Sequence, residues 1–423
     1  MKKILQQLIS KRESKNTTKF VSFNKDNKIS IISSVEFEND SEIIKTRTDV
    51  DLFMKKEIAI NDLKLAFICN WNQKCGISTY SGFLLNSLKD KVTEYKIFSE
   101  YNTVEQPADD LVQYCWKRGE KLNDLYEAIK EYRPNCVIIQ HEWGLFPNAA
   151  HFMKFITKLD ALNISYLVTT HSIYEHLDKT IPLSIIKKAV VHTENAKEIL
   201  DKSKFPGKIT VIPHGCPAVN EYPELWNIFQ NPYLVFGYGF GFRYKGVEVA
   251  IEAIHHLKTT DPKFSNIVYV YVCSENDQNL GVHNSYYESL SDKVKELGVE
   301  DNVILVRGFL SEELLSTYLR TVKMALFPYV MEDNNTVYGS SGAIKVAMSY
   351  GVPVIASNSH LFDDIDGVVT RITDYKELAA EIDKIFSNGI YREALIQKQK
   401  DYLISNSWDN VADMYIQALK EGL

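Results

Sequence analysis

The sequence predicts an α/β protein built from two successive doubly wound parallel-sheet domains behind a β extension. Three observations carry this. Short apolar runs alternate with amphipathic segments from residue 63 to about residue 215, the pattern that βαβ units leave in a chain. The stretch "CPAVNEYPELWNIFQNPY", rich in proline and asparagine and without periodicity, then interrupts the alternation,. The same alternation restarts at Tyr233 and runs to Ser357. A chain of 423 residues is long enough to bury two full cores,.

Residues 1–60 stand apart as an N-terminal extension. There "KFVSFNKDNKISIISSVEFEND" alternates apolar and polar residues around Lys25-Asp26-Asn27, which reads as a β-hairpin,. In the first domain, 61–217, "LKLAFICNW", "EYKIFSEY", "CVIIQHEW", "SYLVTTHS", "AVVHT" and "KITVIPHG" read as strands. The segments "GISTYSGFLLNSLKD", "LNDLYEAIKEYRP", "AAHFMKFITKLDAL" and "ENAKEILDKS" between them read as helices,. Residues 218–232 form the linker. In the second domain, 233–400, "YLVFGYG", "NIVYVYVCS", "NVILVRGF", "MALFPYV" and "VPVIAS" alternate with helices expected at 246–258, 286–297, 311–322 and 341–350. Residues 401–423 close the chain as a helix. Open sheets of this kind bind ligands outside the carboxyl ends of their strands, so the expected site is a cleft between facing domains.

Composition narrows the function classes. The chain is 45% hydrophobic and 24% charged, as ordinary globular proteins are,. Its net charge of -7 gives no global attraction to nucleic acid or anionic lipid,. Six scattered cysteines without zinc-ligand spacing suit reduced thiols in a cytosolic protein,. No apolar run approaches a membrane span, and "MKKILQQLISKRESK" lacks the features of a secretory signal,. A soluble cytoplasmic chain is expected, with peripheral membrane association left open.

The segment "YLVFGYGFGFRYKGVEVAIEAI" (233–254) holds the chemistry. Gly237, Gly239 and Gly241 let backbone approach a ligand, Arg243 and Lys245 bring two cations, and a helix expected from Gly246 aims its N–H groups at the same place,. The combination suits a diphosphate. The dinucleotide fingerprint G-x-G-x-x-G fails, because Tyr244 stands at the third glycine,. A P-loop fails as well, because Val247-Glu248 replace Lys-Ser/Thr,. A plain strand-to-helix turn with two solvated cations is the competing reading. A second turn, Ser340-Ser341-Gly342, opens another helix and offers hydroxyls and N–H groups to an anion,. Simple N-capping by Ser340 or Ser341 would leave the same trace.

From about residue 63 to 420 the chain resembles the GT-B-fold glycosyltransferases of the retaining family 4 type, the glycosyl transferases group 1. The resemblance rests on "CGISTYSGFL", "QHEWGLF", "TTHS", "VVHTENAKEIL" and "VIPHG" in the first half. In the second half it rests on "FGFGFRYKGVE", "LVRGFLSEELLSTYL", "PYV", "SSGAIKVAMSYGVPVIAS" and "NSWDNVADMY". It implies two facing Rossmann-like domains and transfer of a sugar from a nucleoside diphosphate sugar with retention of configuration. It also implies that no cofactor and no metal is needed. By the resemblance Arg243 and Lys245 grip the donor diphosphate with Gly76, Ser340, Ser341 and Gly342. His171 approaches the transferred sugar, and Arg307, Gly308 and Phe309 meet the nucleobase. The family's E-x7-E glutamates would fall on Tyr338 and Val346, neither acidic.

Glu332 offers a substitute carboxylate in the loop before Tyr338, and a solvated loop is the alternative. His141 and Glu142 follow a strand as acceptor contacts or as a structural corner, while His171 has a satisfied structural histidine as its bland reading and His214 reads as packing. No paired carboxylates suggest a glycosidase-like double displacement, so a front-face transfer is expected. The acceptor is open among saccharide, lipid, protein, small molecule and modified nucleic-acid base. Two rivals remain: a sugar-nucleotide epimerase of the same fold, and a catalytically silent module binding sugar nucleotides or a partner.

Overall fold

The computed structural model describes residues 17–23, 29–36, 63–101, 109–175, 185–219, 231–275, 279–331 and 336–421. The expected turn at Lys25–Asn27, most of the linker and Glu332 lie outside the described residues. The extension contains the expected hairpin, β1 (Thr17–Phe23) antiparallel to β2 (Ile29–Glu36), with an irregularity in register between Thr18 and Phe20.

The first α/β domain contributes β3 (Lys64–Cys69), α1 (Gly76–Leu88), β4 (Glu94–Glu100), β5 (Val112–Trp116), α2 (Asn123–Tyr132), β6 (Cys136–His141) and α3 (Ala149–Ala161). It continues with β7 (Ser165–Thr170), β8 (Ser172–Tyr174), β9 (Lys188–Val191), α4 (Glu194–Lys202) and β10 (Lys208–Val211). Seven of its strands form one parallel sheet in the order β10-β9-β7-β6-β3-β4-β5. Every residue of β6 is buried, as a central strand covered on both faces requires. Helix starts follow local chemistry: Asn148 caps α3 by accepting from His151 N–H, and Thr193 caps α4 by accepting from Ala196 N–H,.

The second α/β domain runs β11 (Leu234–Phe240), α5 (Val247–Thr260), β12 (Val268–Ser274), α6 (Leu280–Glu296), β13 (Val303–Arg307), α7 (Glu312–Thr321) and β14 (Met324–Phe327). It goes on through β15 (Val337–Gly339), α8 (Gly342–Ser349), β16 (Val354–Ser357), β17 (Thr370–Ile372), α9 (Tyr375–Ser387) and α10 (Gly389–Ser405). Its parallel sheet has the order β13-β12-β11-β14-β16-β17. Alternation places Val235, Tyr269 and Tyr271 in one core and Leu234, Phe236, Val270 and Val272 in another. One core therefore lies on each face of the sheet. The helix expected at 286–297 begins earlier, at Leu280. β5 and β17 carry no strong pattern in the sequence because they are short edge strands.

Two features join the domains. The terminal helix α11 (Trp408–Lys420) returns to the first domain, where Tyr415 OH meets Tyr80 OH at 2.9 Å and Thr169 Oγ1 at 2.8 Å. β15 pairs antiparallel with β8, Tyr338 opposite Ile173 and Gly339 opposite Ser172. This two-stranded sheet crosses the seam between the two domains.

Candidate functional site

The site begins where β11 ends. The strand continues to Phe240, so Gly237 lies inside it, where a Cβ would sit 2.6 Å from the Tyr269 hydroxyl. Crowding by neighbouring side chains, rather than a turn, accounts for that glycine. The turn itself is a single 3-10 turn, Arg243–Lys245, followed by Gly246 at φ 61° and ψ 32°. A side chain at Gly246 would run into the Pro328 carbonyl, so the left-handed conformation and the close strand both demand glycine. Val330 N–H donates to the Tyr244 carbonyl at 2.8 Å and locks β14's exit against this turn.

The two cations of the turn differ in setting. Arg243 is exposed, 5.9 Å from the Tyr286 ring. Lys245 folds inward and is only 8% exposed. Its Nζ donates to Tyr329 OH at 2.6 Å and lies 4.0 Å from the centre of that ring. Among the described residues no carboxylate pairs with it. A buried ammonium bonded to a phenol, and to no carboxylate among the described residues, is suited to take an anion,.

The second turn converges on the same point. Tyr329 OH lies 3.2 Å from Ser341 Oγ, so Lys245 and Ser341 meet the same phenol oxygen. Helix α8 starts at Gly342 with no side-chain cap, which removes the capping explanation for the serines; the first N–H groups of a helix have no intrahelical partner and suit an anion. The two serines are not equivalent. Ser340 Oγ donates to Asp364 Oδ2 and accepts from Lys345 Nζ, both at 2.7 Å, and Lys345 pairs with Asp364 at 2.6 Å. Ser340 is therefore spent on a buried ion pair. Gly342 leaves room for the His214 ring, whose Nε2 would be 2.8 Å from an added Cβ.

On the first domain's side, His171 is held by two protein partners. Its Nε2 is 2.8 Å from Gln140 Oε1 and its Nδ1 is 3.3 Å from His192 Nε2, while the Tyr80 ring meets it edge-on at 4.7 Å. Burial, with the neighbouring histidines His192, His214 and His141, holds its pKa well below the usual imidazole range. The satisfied-histidine reading accounts for both nitrogens. The carbonyl of His171 would be 2.5 Å from a Cβ at Gly339, so that glycine lets the seam strands close. Glu142 accepts from Trp143 N–H at 3.0 Å and from Ser172 Oγ at 2.7 Å, and burial pushes it up to about 7. His141 is buried against Phe146, Phe152 and Trp143.

The remaining residues spread outward. Gly76 opens α1 with space around it, behind a Cys75 cap whose Sγ accepts from Ser78 N–H. Arg307, at the end of β13, lies 4.1 Å from the Tyr287 ring and donates to Asn284 Oδ1 at 3.1 Å. Gly308 adopts φ 130° and Phe309, 48% exposed, lies 6.2 Å from Phe240. Tyr338, at the first E-x7-E position, stacks on His360 at 4.5 Å and donates to Glu175 Oε1 at 3.3 Å. Sequence reasoning missed Tyr329, Lys345 and Asp364. Only the "PYV" resemblance pointed near Tyr329, and nothing local marks Lys345 as the partner of an aspartate nineteen positions on. A surface hollow of about 560 Å³ beside Glu127, Arg133, Pro134 and Ile164 lies at the opposite end of the first sheet and gathers none of these groups.

Residues 231–388 match the family model described as "Glycosyl transferases group 1". The chain aligns over most of its length with solved glycosyltransferases. A glycosyltransferase from Rickettsia africae superposes with a TM-score of 0.65 at 17% identity, covering 86% of this chain and 99% of that one. The fold is GT-B. An E. coli trehalose-6-phosphate structure with UDP-2-fluoro glucose bound gives 0.66 at 12% identity over 85% and 99% of the two chains. An α,α-trehalose-phosphate synthase from Burkholderia xenovorans, in complex with glucose-6-phosphate, gives 0.64 at 9% over 84% and 100%. Among curated protein sequences none matches the chain. The resemblance read from the sequence thus holds in the GT-B architecture and in the group 1 match of the second domain. Among the described residues no helix is long and apolar enough to cross a membrane.

Proposed function

We propose that the chain transfers a glycosyl group from a nucleoside diphosphate sugar, with retention, the diphosphate lying between the Lys245 turn and the start of α8. The observation that carries this is the buried Lys245 ammonium, without a carboxylate partner among the described residues and linked through Tyr329 to Ser341. Charge grows on the departing diphosphate as the glycosidic bond breaks. Cations and N–H groups fixed there stabilise the transition state more than the ground state. Exposed Arg243 adds a second charge at the mouth, and Phe309 with Arg307 offers a flat surface to a base. UDP is the first nucleotide to try, because the E. coli structure of similar fold holds a UDP sugar.

The experiment is a thermal-shift panel of UDP, GDP, ADP, TDP and CMP on wild type and Lys245→Ala. One nucleotide stabilising wild type but not the variant supports the reading. No shift from any of them sinks it. A second reading, a module that binds sugar nucleotides without transfer, is favoured by one observation: both nitrogens of His171 are occupied by Gln140 and His192. Binding of a diphosphate together with no turnover of the matching sugar nucleotide, with or without acceptors, would select it.

A further inference from the structure

We infer that Tyr329 is a positioning residue that turns Ser341 into a hydrogen-bond donor aimed at an anionic oxygen. The inference rests on the diphosphate reading and adds a direction to it. A lysine ammonium has hydrogens to give and no lone pair to offer, so in the 2.6 Å contact Lys245 donates and the Tyr329 oxygen accepts. The phenol is buried, 4% exposed, and its one hydrogen needs an acceptor. In the 3.2 Å contact with Ser341 Oγ either hydroxyl can donate, and the phenol's need for an acceptor assigns that role to Ser341 Oγ. Burial raises the Tyr329 pKa, which keeps this hydrogen in place at neutral pH.

The consequence falls on the serine. With one lone pair filled by Tyr329, the Ser341 hydroxyl hydrogen is left to point away from the phenol. The oxygen's other lone pair is not spent on capping α8, since Ser341 makes no side-chain cap bond. The backbone of Ser341 is fixed independently, because its N–H donates to the Leu361 carbonyl at 3.1 Å. Tyr329 is fixed likewise: its carbonyl accepts from Ser357 Oγ and its N–H donates to the Phe327 carbonyl at 2.9 Å. Two rigid backbones therefore hold a chain that runs from Lys245 Nζ–H to the Tyr329 hydroxyl, on to the Ser341 hydroxyl, and then to the ligand. Each donor in such a chain polarises the next, so the Lys245 charge is felt at the serine hydrogen beside the first N–H groups of α8. Ser340 cannot play this part, because its hydrogen is given to Asp364.

The test is a double-mutant cycle on the full chain with inorganic pyrophosphate as the probe, read by calorimetric titration. Tyr329→Phe keeps the ring and its packing and removes only the hydroxyl; Ser341→Ala removes the receiver. Each single variant is expected to weaken pyrophosphate binding roughly five- to tenfold, and the double variant to be no weaker than either single one. Losses that multiply in the double variant, or a Tyr329→Phe protein that binds as well as wild type, overturn the inference. So does a wild type that binds no pyrophosphate. UDP, GDP, ADP and TDP are titrated in parallel. A wild type that binds pyrophosphate with a non-additive cycle but takes none of the nucleotides keeps the relay and removes the sugar-nucleotide reading. A cooperative unfolding transition retained by each variant in the absence of ligand separates the relay from a general loss of fold.

Discussion

The Nζ of Lys345 lies 2.6 Å from Oδ2 of Asp364, and the two side chains are 0% and 3% exposed. Removing one partner strands the other charge in the interior. Lys345→Met is expected to destabilise the fold by about 3–5 kcal/mol, and Lys345→Met with Asp364→Leu by clearly less. Urea denaturation of the three proteins decides it; a double variant as unstable as the single one would show that the pair itself stabilises.

The adjacent serines should separate stability from binding. Ser340→Ala takes a hydroxyl from between Lys345 and Asp364 and is expected to cost about 1–3 kcal/mol. Ser341→Ala leaves the buried Tyr329 hydroxyl hydrogen without its acceptor and is expected to cost about 1–3 kcal/mol in the absence of ligand, and it should also weaken diphosphate binding, which Ser340→Ala should not. Equal losses of diphosphate affinity in the two variants would contradict the division of labour.

At the seam, Gly339→Ala brings a methyl to the carbonyl of His171. The pairing of β8 with β15 should then open, at a cost of about 1–3 kcal/mol, with a larger radius of gyration in solution scattering. An unchanged radius and melting temperature would mean that the seam tolerates the methyl.

Two neighbours on β6 and its exit give opposite pH slopes. Burial pushes His141 down to about 4, so the stability of its neutral form is present above 6.5 and is lost as pH falls from there towards 4. Glu142 is raised from 4.5 to about 7, so its contribution is full below 4.5 and is lost as pH rises to 7. His171, His192 and His214 are lowered like His141, burial being the largest cause for each. Four imidazoles outweigh one carboxyl, and wild type should lose stability below pH 6.5. The difference between wild type and Glu142→Gln isolates the carboxyl and should shrink from pH 4.5 to 7; a constant difference would refute the assignment.

Periodicity made the two sheets legible, because buried parallel strands open on unbroken apolar runs such as "CVII" and "VYVYVC". It failed where an element depends on a distant partner. β8 and β15 are three residues each and exist only because they meet across the seam. In the candidate site, the cations and the serine turn were visible as residue types at the ends of strands. Their connection was not, because Tyr329 reads as one more apolar strand-end residue and its hydroxyl acquires a role only through Lys245 and Ser341. Likewise nothing in "SSG" reveals that one serine is tied to Asp364 and its neighbour is not.

The helix that carries Trp408 and Tyr415 covers Tyr80 and Thr169 of the first domain. On a ribosome, that domain's strands have emerged by about residue 215, and Trp408 follows 193 residues later (408 − 215). At ordinary elongation rates the delay is about 10–40 s. Throughout it the nascent first domain keeps a face open, with the Tyr80 and Thr169 hydroxyls awaiting Tyr415. A premature stop before Trp408 would therefore injure the half of the molecule that had already been made.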